Sequence, residues 1–340
     1  MASPTGKLFL DALHGHPVPR VPVAPLAVHF CARVAGISLQ QYTSDAAALA
    51  DAVILYHERF RPDAVVISAD TWISAEAMGA RVGSLGDDQP WGGVGMPRIR
   101  KLAEVRALPR PDPAQQGRYP LMVEATRRVV EQIGHETTVV ACFDQFPFSL
   151  AAALMGINEL MLALNDNLEL VRTLMARCHD QALAYGQALA NAGADVLTGG
   201  DSPAGLIGPN RYRDLALPFE QRLIAELQAT TGKPVSLHIC GDARPILSDM
   251  AGSGADMLEI DSRTDLPFAG RTVGPRIALW GNLDPVALLA QGTPAEVRAT
   301  ARQAILAARG HPRFVLGSGC TLAVETPFAN VEALIAAAHG

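Results

Sequence analysis

The chain is poor in charge. Only 18% of its 340 residues are Asp, Glu, Lys or Arg, against 49% hydrophobic. That balance excludes intrinsic disorder and supplies enough apolar surface for a large core. Basic residues are not in excess: the formal net charge is −6, so the electrostatic footprint of a nucleic-acid-binding protein is missing. No apolar run reaches the 18 residues that a membrane helix needs. The opening stretch MASPTGKLFLDALHGHPVPRVP also lacks the charged start and long apolar centre of a signal peptide. A cytoplasmic location with no membrane contact is therefore expected. Cysteine is scarce and odd in number, five residues at 31, 142, 178, 240 and 320, which reads as reduced thiols and not as a disulfide framework. With no internal repeat or low-complexity tract, residues 1–340 read as one domain.

What the sequence does have is alternation. Short apolar strand candidates fall near Val21–Leu26, Ala64–Ser68, Thr138–Phe143, Asp195–Thr198, Val235–Ile239, Met257–Ile260, Ile277–Trp280 and Phe314–Leu316. Helical patterns lie between and after them at Ala46–Arg59, Leu121–Gln132, Leu168–Ala192, Pro209–Ala229, Ala243–Ala251, Pro294–Ala308 and Asn330–Ala338. Such βα repetition predicts an α/β fold, a (β/α)8 TIM barrel. In that fold functional residues gather at the C-terminal ends of the strands. Asp70, Asp144, Asp201, Cys240, Asp261, Asp284 and Cys320 occupy those ends. The glycine-rich stretch Gly79–Pro97 has neither the lysine of a P-loop nor a dinucleotide fingerprint. It reads as an excursion over the barrel mouth.

Metal chemistry is suggested by His238 and Cys240. Two positions apart at the end of a strand, they point to the same side. Cys320 ends a matching apolar run, RFVLGSGC. Spacing alone leaves ordinary core cysteines as the alternative. On a barrel, however, the fifth and eighth predicted strands face each other across the mouth, which makes Cys320 a credible partner. One imidazole and two thiolates suit Zn²⁺ and leave a fourth position open for chemistry. Glu76, Asp201 or Glu259 are candidates to complete the site or take a proton, and Asp70 is a candidate substrate contact or buried helix cap. Cys142 and Cys178 read as packing residues, while Cys31, beside His29, is placed to line the mouth.

Over nearly its whole length the chain resembles the uroporphyrinogen decarboxylase superfamily, and within it the methylcobalamin:coenzyme M methyltransferase branch. The resemblance is carried by RVPVAPL, ERFRPDAVVISAD, AEAMG, FPFSLAAALMG, LIGPNRYRDLALPFEQRLI, LHICGD, LWGNLDP and LGSGCTLAVETPFANVEALI. It implies that His238, Cys240 and Cys320 are zinc ligands. It also implies a methyl donor, methylcobalamin or another methyl-corrinoid, carried by a separate corrinoid protein. The acceptor implied is a small thiol such as coenzyme M, another thiol, or tetrahydrofolate, and there is room for a homodimer. The decarboxylase branch is the rival, but its arginine-bearing block RQAGRYLP is absent and LGSGC stands where decarboxylases have LGHG. The expected function is zinc-dependent methyl transfer, with Asp70, Glu76 and Asp201 as candidate catalytic carboxylates. The alternatives are a decarboxylase-like enzyme on a non-porphyrin substrate, a demethylase running in reverse, and a non-catalytic corrinoid- or zinc-binding accessory protein.

Overall fold

A computed structural model of the chain describes residues 7–83, 87–92 and 99–340. Seven strands form one parallel sheet in chain order: β1 (Ala64–Ile67), β2 (Thr138–Gln145), β3 (Val196–Gly200), β4 (Val235–Ile239), β5 (Met257–Ile260), β6 (Ala278–Leu283) and β7 (Phe314–Ser318). Helices follow each strand and cover its outer face, which is why strands such as the AVVI of β1 are buried at every position and read as continuous apolar runs. Seven of the eight expected strands therefore form.

The eighth, Val21–Leu26, does not. It makes a single parallel bridge, Val23 to Leu316, with Ala24 N donating to Leu316 O and Leu316 N to Pro22 O, both at 2.8 Å. On its other side Asp63 N, just before β1, donates to Val23 O at 2.9 Å. Pro22 and Pro25 have no N–H to extend a ladder in either direction. The sheet is thus curled, with the extended 22–26 segment lying between β7 and the start of β1.

Two apolar cores result. The larger lies between the sheet and its helices. The smaller fills the interior, where Val66, Val140, Val196, Met257 and Val315 meet Phe9, Leu10 and Leu13 of the helix Leu8–His14. That helix, unanticipated in the sequence, plugs the N-terminal end of the strands. Phe9 packs edge-on against Trp280 at 5.1 Å between centroids. Lys7 pairs with Asp195 at 2.7 Å and Arg313 donates to Leu13 O at 3.1 Å, fixing both ends of the plug.

Several expected helices are confirmed within a few residues, among them Ala46–Phe60, Leu168–Asn191 and Pro294–Ala307. Parts of the glycine-rich stretch, 84–86 and 93–97, lie outside the described residues. The remainder includes a two-residue antiparallel pairing of Val82–Gly83 with Trp91–Gly92. Among the described residues no single helix is long and apolar enough to cross a membrane.

Candidate metal centre

Alternation along β4 decides the site. Val235, Leu237 and Ile239 enter the outer core, so Ser236 and His238 face inward. Register then sets their neighbours: His238 lies opposite Gly200 of β3 and Glu259 of β5. Cys240 follows the strand, and Gly241, at φ +88°, turns the chain away in a conformation that favours glycine. Cys320 arrives from β7 on the turn Gly317–Gly319. A Cβ on Gly319 would sit 2.5 Å from Ser262 N, so glycine is what lets this turn press against the loop after β5.

The three side chains meet at the mouth. His238 Nε2 lies 2.8 Å from Cys240 Sγ, Cys240 Sγ lies 3.5 Å from Cys320 Sγ, and all three donor atoms fall within 4.8 Å of one another. Zn–S bonds of about 2.3 Å and Zn–N bonds of about 2.0–2.1 Å would separate tetrahedral ligand atoms by about 3.5–3.8 Å. The sulfur–sulfur distance already fits, and the nitrogen–sulfur distance would have to open by under ~1 Å.

Electrostatics point the same way. Burial disfavours charge on His238, but its contact with the Cys320 sulfur and the nearby Glu259 carboxylate outweigh burial and push its pKa up to about 9. Contact between the two thiols holds Cys240 below its ordinary value and pushes Cys320 up to about 12. A set of donors that raises the histidine and lowers one thiol favours positive charge at its centre, and a divalent soft-to-borderline metal meets that demand more fully than a proton.

Behind the histidine stands Glu259, 5% exposed. One of its oxygens accepts hydrogen bonds from the hydroxyls of Thr198 and Ser236, the latter at 2.9 Å. The other lies 3.7 Å from His238 Nδ1, an atom otherwise buried without a partner. Carboxylates in this position orient a ligating imidazole and fix its tautomer.

The centre opens into a cavity of about 400 Å³. Asp70 lines it, and also caps Trp72 N at 2.7 Å. Arg118 holds Asp70 and donates to Glu76 at 2.6 Å. Glu76 does not line the cavity but supports Asp70 through this shared arginine. Asp201 is fully buried and does not line the cavity either. It accepts from Ser149 N at 2.7 Å, and burial, partly offset by its hydrogen bonds to Glu220 and Ser149, pushes it up to about 6.

Sequence reasoning gave Asp144 no role of its own, although the residue lines the cavity wall. It has φ +66°, accepts from Ser74 N and Oγ at 2.8 and 2.9 Å, and leaves Oδ1 buried without a partner. Burial first, then the charge of Asp70, pushes it up to about 7. Trp72 and Trp91 at the rim were also missed. Among the other cysteines, Cys142 lines the cavity, whereas Cys31 is buried and donates to Ala27 O at 2.8 Å.

A profile of the family described as uroporphyrinogen decarboxylase (URO-D) matches residues 4–340. The chain belongs to the uroporphyrinogen decarboxylase family. Within it, the methylcobamide:CoM methyltransferase MtaA of Methanosarcina barkeri is 28% identical over 336 residues, 97% of this chain and 96% of that one. A uroporphyrinogen decarboxylase of Roseiflexus sp. (strain RS-1) is 32% identical over 289 residues, 82% of this chain and 81% of that one. A solved methyltransferase from Methanosarcina mazei superposes with a TM-score of 0.88 at 27% identity, covering 97% of this chain and 96% of its own. Family membership alone therefore spans two chemistries, and the site has to choose between them.

Proposed function

We propose that this protein transfers a methyl group from a methylated corrinoid, carried by a separate protein, to a small thiol acceptor. The observation that carries this reading is the meeting of His238, Cys240 and Cys320 within 4.8 Å at the base of the mouth cavity. These three residues would hold a zinc ion. When bound, it supplies the Lewis acidity by which an incoming thiol loses its proton near neutral pH while keeping its nucleophilicity.

The protein's own residues do the rest. Glu259 fixes the His238 ring from behind. Apolar and aromatic walls, Leu26, Val28, Val66 and Trp72, restrict water and hold the acceptor's sulfur in line with the methyl group. Asp70, steadied by Arg118 and Glu76, supplies a polar contact, while Asp201 braces the start of the helix after β2. In the reaction the sulfur–methyl bond forms as the cobalt–methyl bond breaks, its electron pair staying with cobalt. A cavity of about 400 Å³ is near the small end of single-ligand pockets, about 300–1,000 Å³. It suits an acceptor and not a corrin ring, so the corrinoid must be presented at the mouth by its carrier. Exposed Trp91, Leu206 and Val286 lie on segments that follow β1, β3 and β6 and support such docking.

The decarboxylase reading is weaker because a polycarboxylate needs paired cations. No Lys or Arg is among the described residues lining the cavity. The test is metal content together with methylcobalamin turnover. Wild-type protein should hold one zinc per chain and demethylate methylcobalamin when a thiol is supplied. Cys320→Ala should lose both while far-UV circular dichroism stays unchanged. A Cys320→Ala protein retaining full zinc and turnover would refute the assignment.

A further inference from the structure

Apart from His238, which a metal would engage, the ionisable groups that bring charge to the cavity are acidic. Asp70, Asp144 and Glu259 line it, and no Lys or Arg does so among the described residues. Arg118, the cation behind Asp70, directs its guanidinium to Asp70, Glu76 and the Thr43 carbonyl, leaving none of it turned to the cavity. His29 also lines the wall, but its Nε2 lies 2.7 Å from Ala69 O and burial lowers its pKa, so at neutral pH it is not a cation.

Backbone amides are the other common seat for an anion, and four of them at or beside the cavity are taken. Trp72 N is occupied by Asp70, Ser74 N by Asp144, Ser149 N by Asp201 and Gly241 N by Asp261, at 2.7–2.8 Å. Those four amides are thus satisfied by carboxylates of the strand-end loops, three of them buried. Two thiolates would neutralise a bound zinc, which leaves no net positive charge at the base.

Trp72 and Trp91 complete the picture from the rim. Indole faces attract cations through the ring quadrupole, most strongly in partly desolvated sites. Carboxylates and indoles around one small cavity form a surround suited to an ammonium group.

Resting on the thiol-acceptor reading above, we propose that the acceptor carries a cationic tail: an amine-bearing thiol, seated with its ammonium between Asp144, Asp70 and the indoles, and not a sulfonate- or carboxylate-tailed one. Asp144 is the specificity-determining residue in this arrangement, because its unpartnered Oδ1 is a free acceptor in the wall.

Three two-carbon thiols that differ in the charge of the tail test this: 2-aminoethanethiol, 2-mercaptoethanol and 2-mercaptoethanesulfonate. Binding to zinc-loaded protein is measured by titration calorimetry at low ionic strength, alongside methyl transfer from methylcobalamin. The expected affinity order is amine, alcohol, sulfonate, with at least about tenfold between first and last, the size of one charge-assisted hydrogen bond. The thiols differ in their own acidity, so the decisive figure is the amine-to-sulfonate ratio in variants, where that difference cancels. The ratio should fall at least about threefold in Asp144→Asn and in Trp91→Ala, the second lying in a surface hairpin where folding is not at stake.

Sulfonate binding as tight as amine binding overturns the proposal and leaves the zinc–thiol reading standing. A ratio unchanged in both variants also overturns it. Failure of all three thiols to bind would instead remove the thiol-acceptor reading itself, and the proposal with it.

Discussion

Asp144→Asn should raise the stability of this protein relative to the wild type by an amount that grows as pH rises from mild acid to above neutral. The side chain is 1% exposed and its pKa is pushed up from 3.8 to about 7, by burial first and by the Asp70 charge second. A carboxyl whose folded pKa exceeds its unfolded one favours folding while protonated. Its contribution is complete below pH 3.8 and is lost progressively as pH rises to about 7. The loss runs at up to ~1.4 kcal/mol per pH unit. Between pH 5 and pH 8 the wild type therefore forfeits about 2–3 kcal/mol that the variant does not. Asparagine suits the position otherwise: it tolerates the left-handed backbone at φ +66° better than most residues, and its Oδ1 can accept both Ser74 hydrogen bonds. Urea unfolding of both proteins at the two pH values measures the gap, with titrating groups remote from Asp144 cancelling in the difference. A gap independent of pH, or one that widens towards acid, would refute the reasoning.

Three further outcomes follow from the site. Glu259→Gln should weaken zinc binding about 10–100-fold, the usual effect of losing a ligand's orienting carboxylate, as read by competition with a chromophoric chelator; unchanged affinity would mean that His238 needs no such partner. Gly319→Ala should also lower zinc affinity without altering any ligand, because its Cβ would meet Ser262 N at 2.5 Å and displace the Cys320 turn; retained affinity would show that the turn adapts. Binding of a true acceptor thiol should release close to one proton near pH 7, since free thiols there are mostly protonated and metal-bound ones are not; calorimetry in buffers of different ionisation enthalpy counts it, and a count of zero would exclude thiolate ligation.

The meeting of His238, Cys240 and Cys320 was legible in the sequence because two of them point to one side at the end of one strand and the third ends a similar run. The curl of the parallel sheet supplied the remaining step, bringing residues 80 positions apart to 3.5 Å. The first strand was misread because apolar β-branched residues in Val21–Leu26 outvoted Pro22 and Pro25, whose missing N–H groups limit the ladder to one bridge. Asp144 and the two tryptophans could not be singled out from a single chain. Strand-end aspartates most often cap helices, as Asp201 does here, and only the folded structure shows which of them line the cavity. Cys31 and Cys142 illustrate the same limit: one sits beside a loop histidine and the other inside a strand, yet it is the strand residue that reaches the cavity. A strand position is inward or outward by its register, which composition does not reveal.

The plug formed by the helix Leu8–His14 has a kinetic consequence. Because Phe9, Leu10 and Leu13 fill the interior from the N-terminal end of the strands, that end offers no passage to the metal centre, and traffic is confined to the mouth. A carrier protein seated over the mouth to deliver its methyl group would at the same moment close the route by which an acceptor enters or a methylated product leaves. In the proposed reaction the order of events is then set by the shape of the molecule: the acceptor must be aboard before the carrier docks, and the product must wait for the carrier to depart.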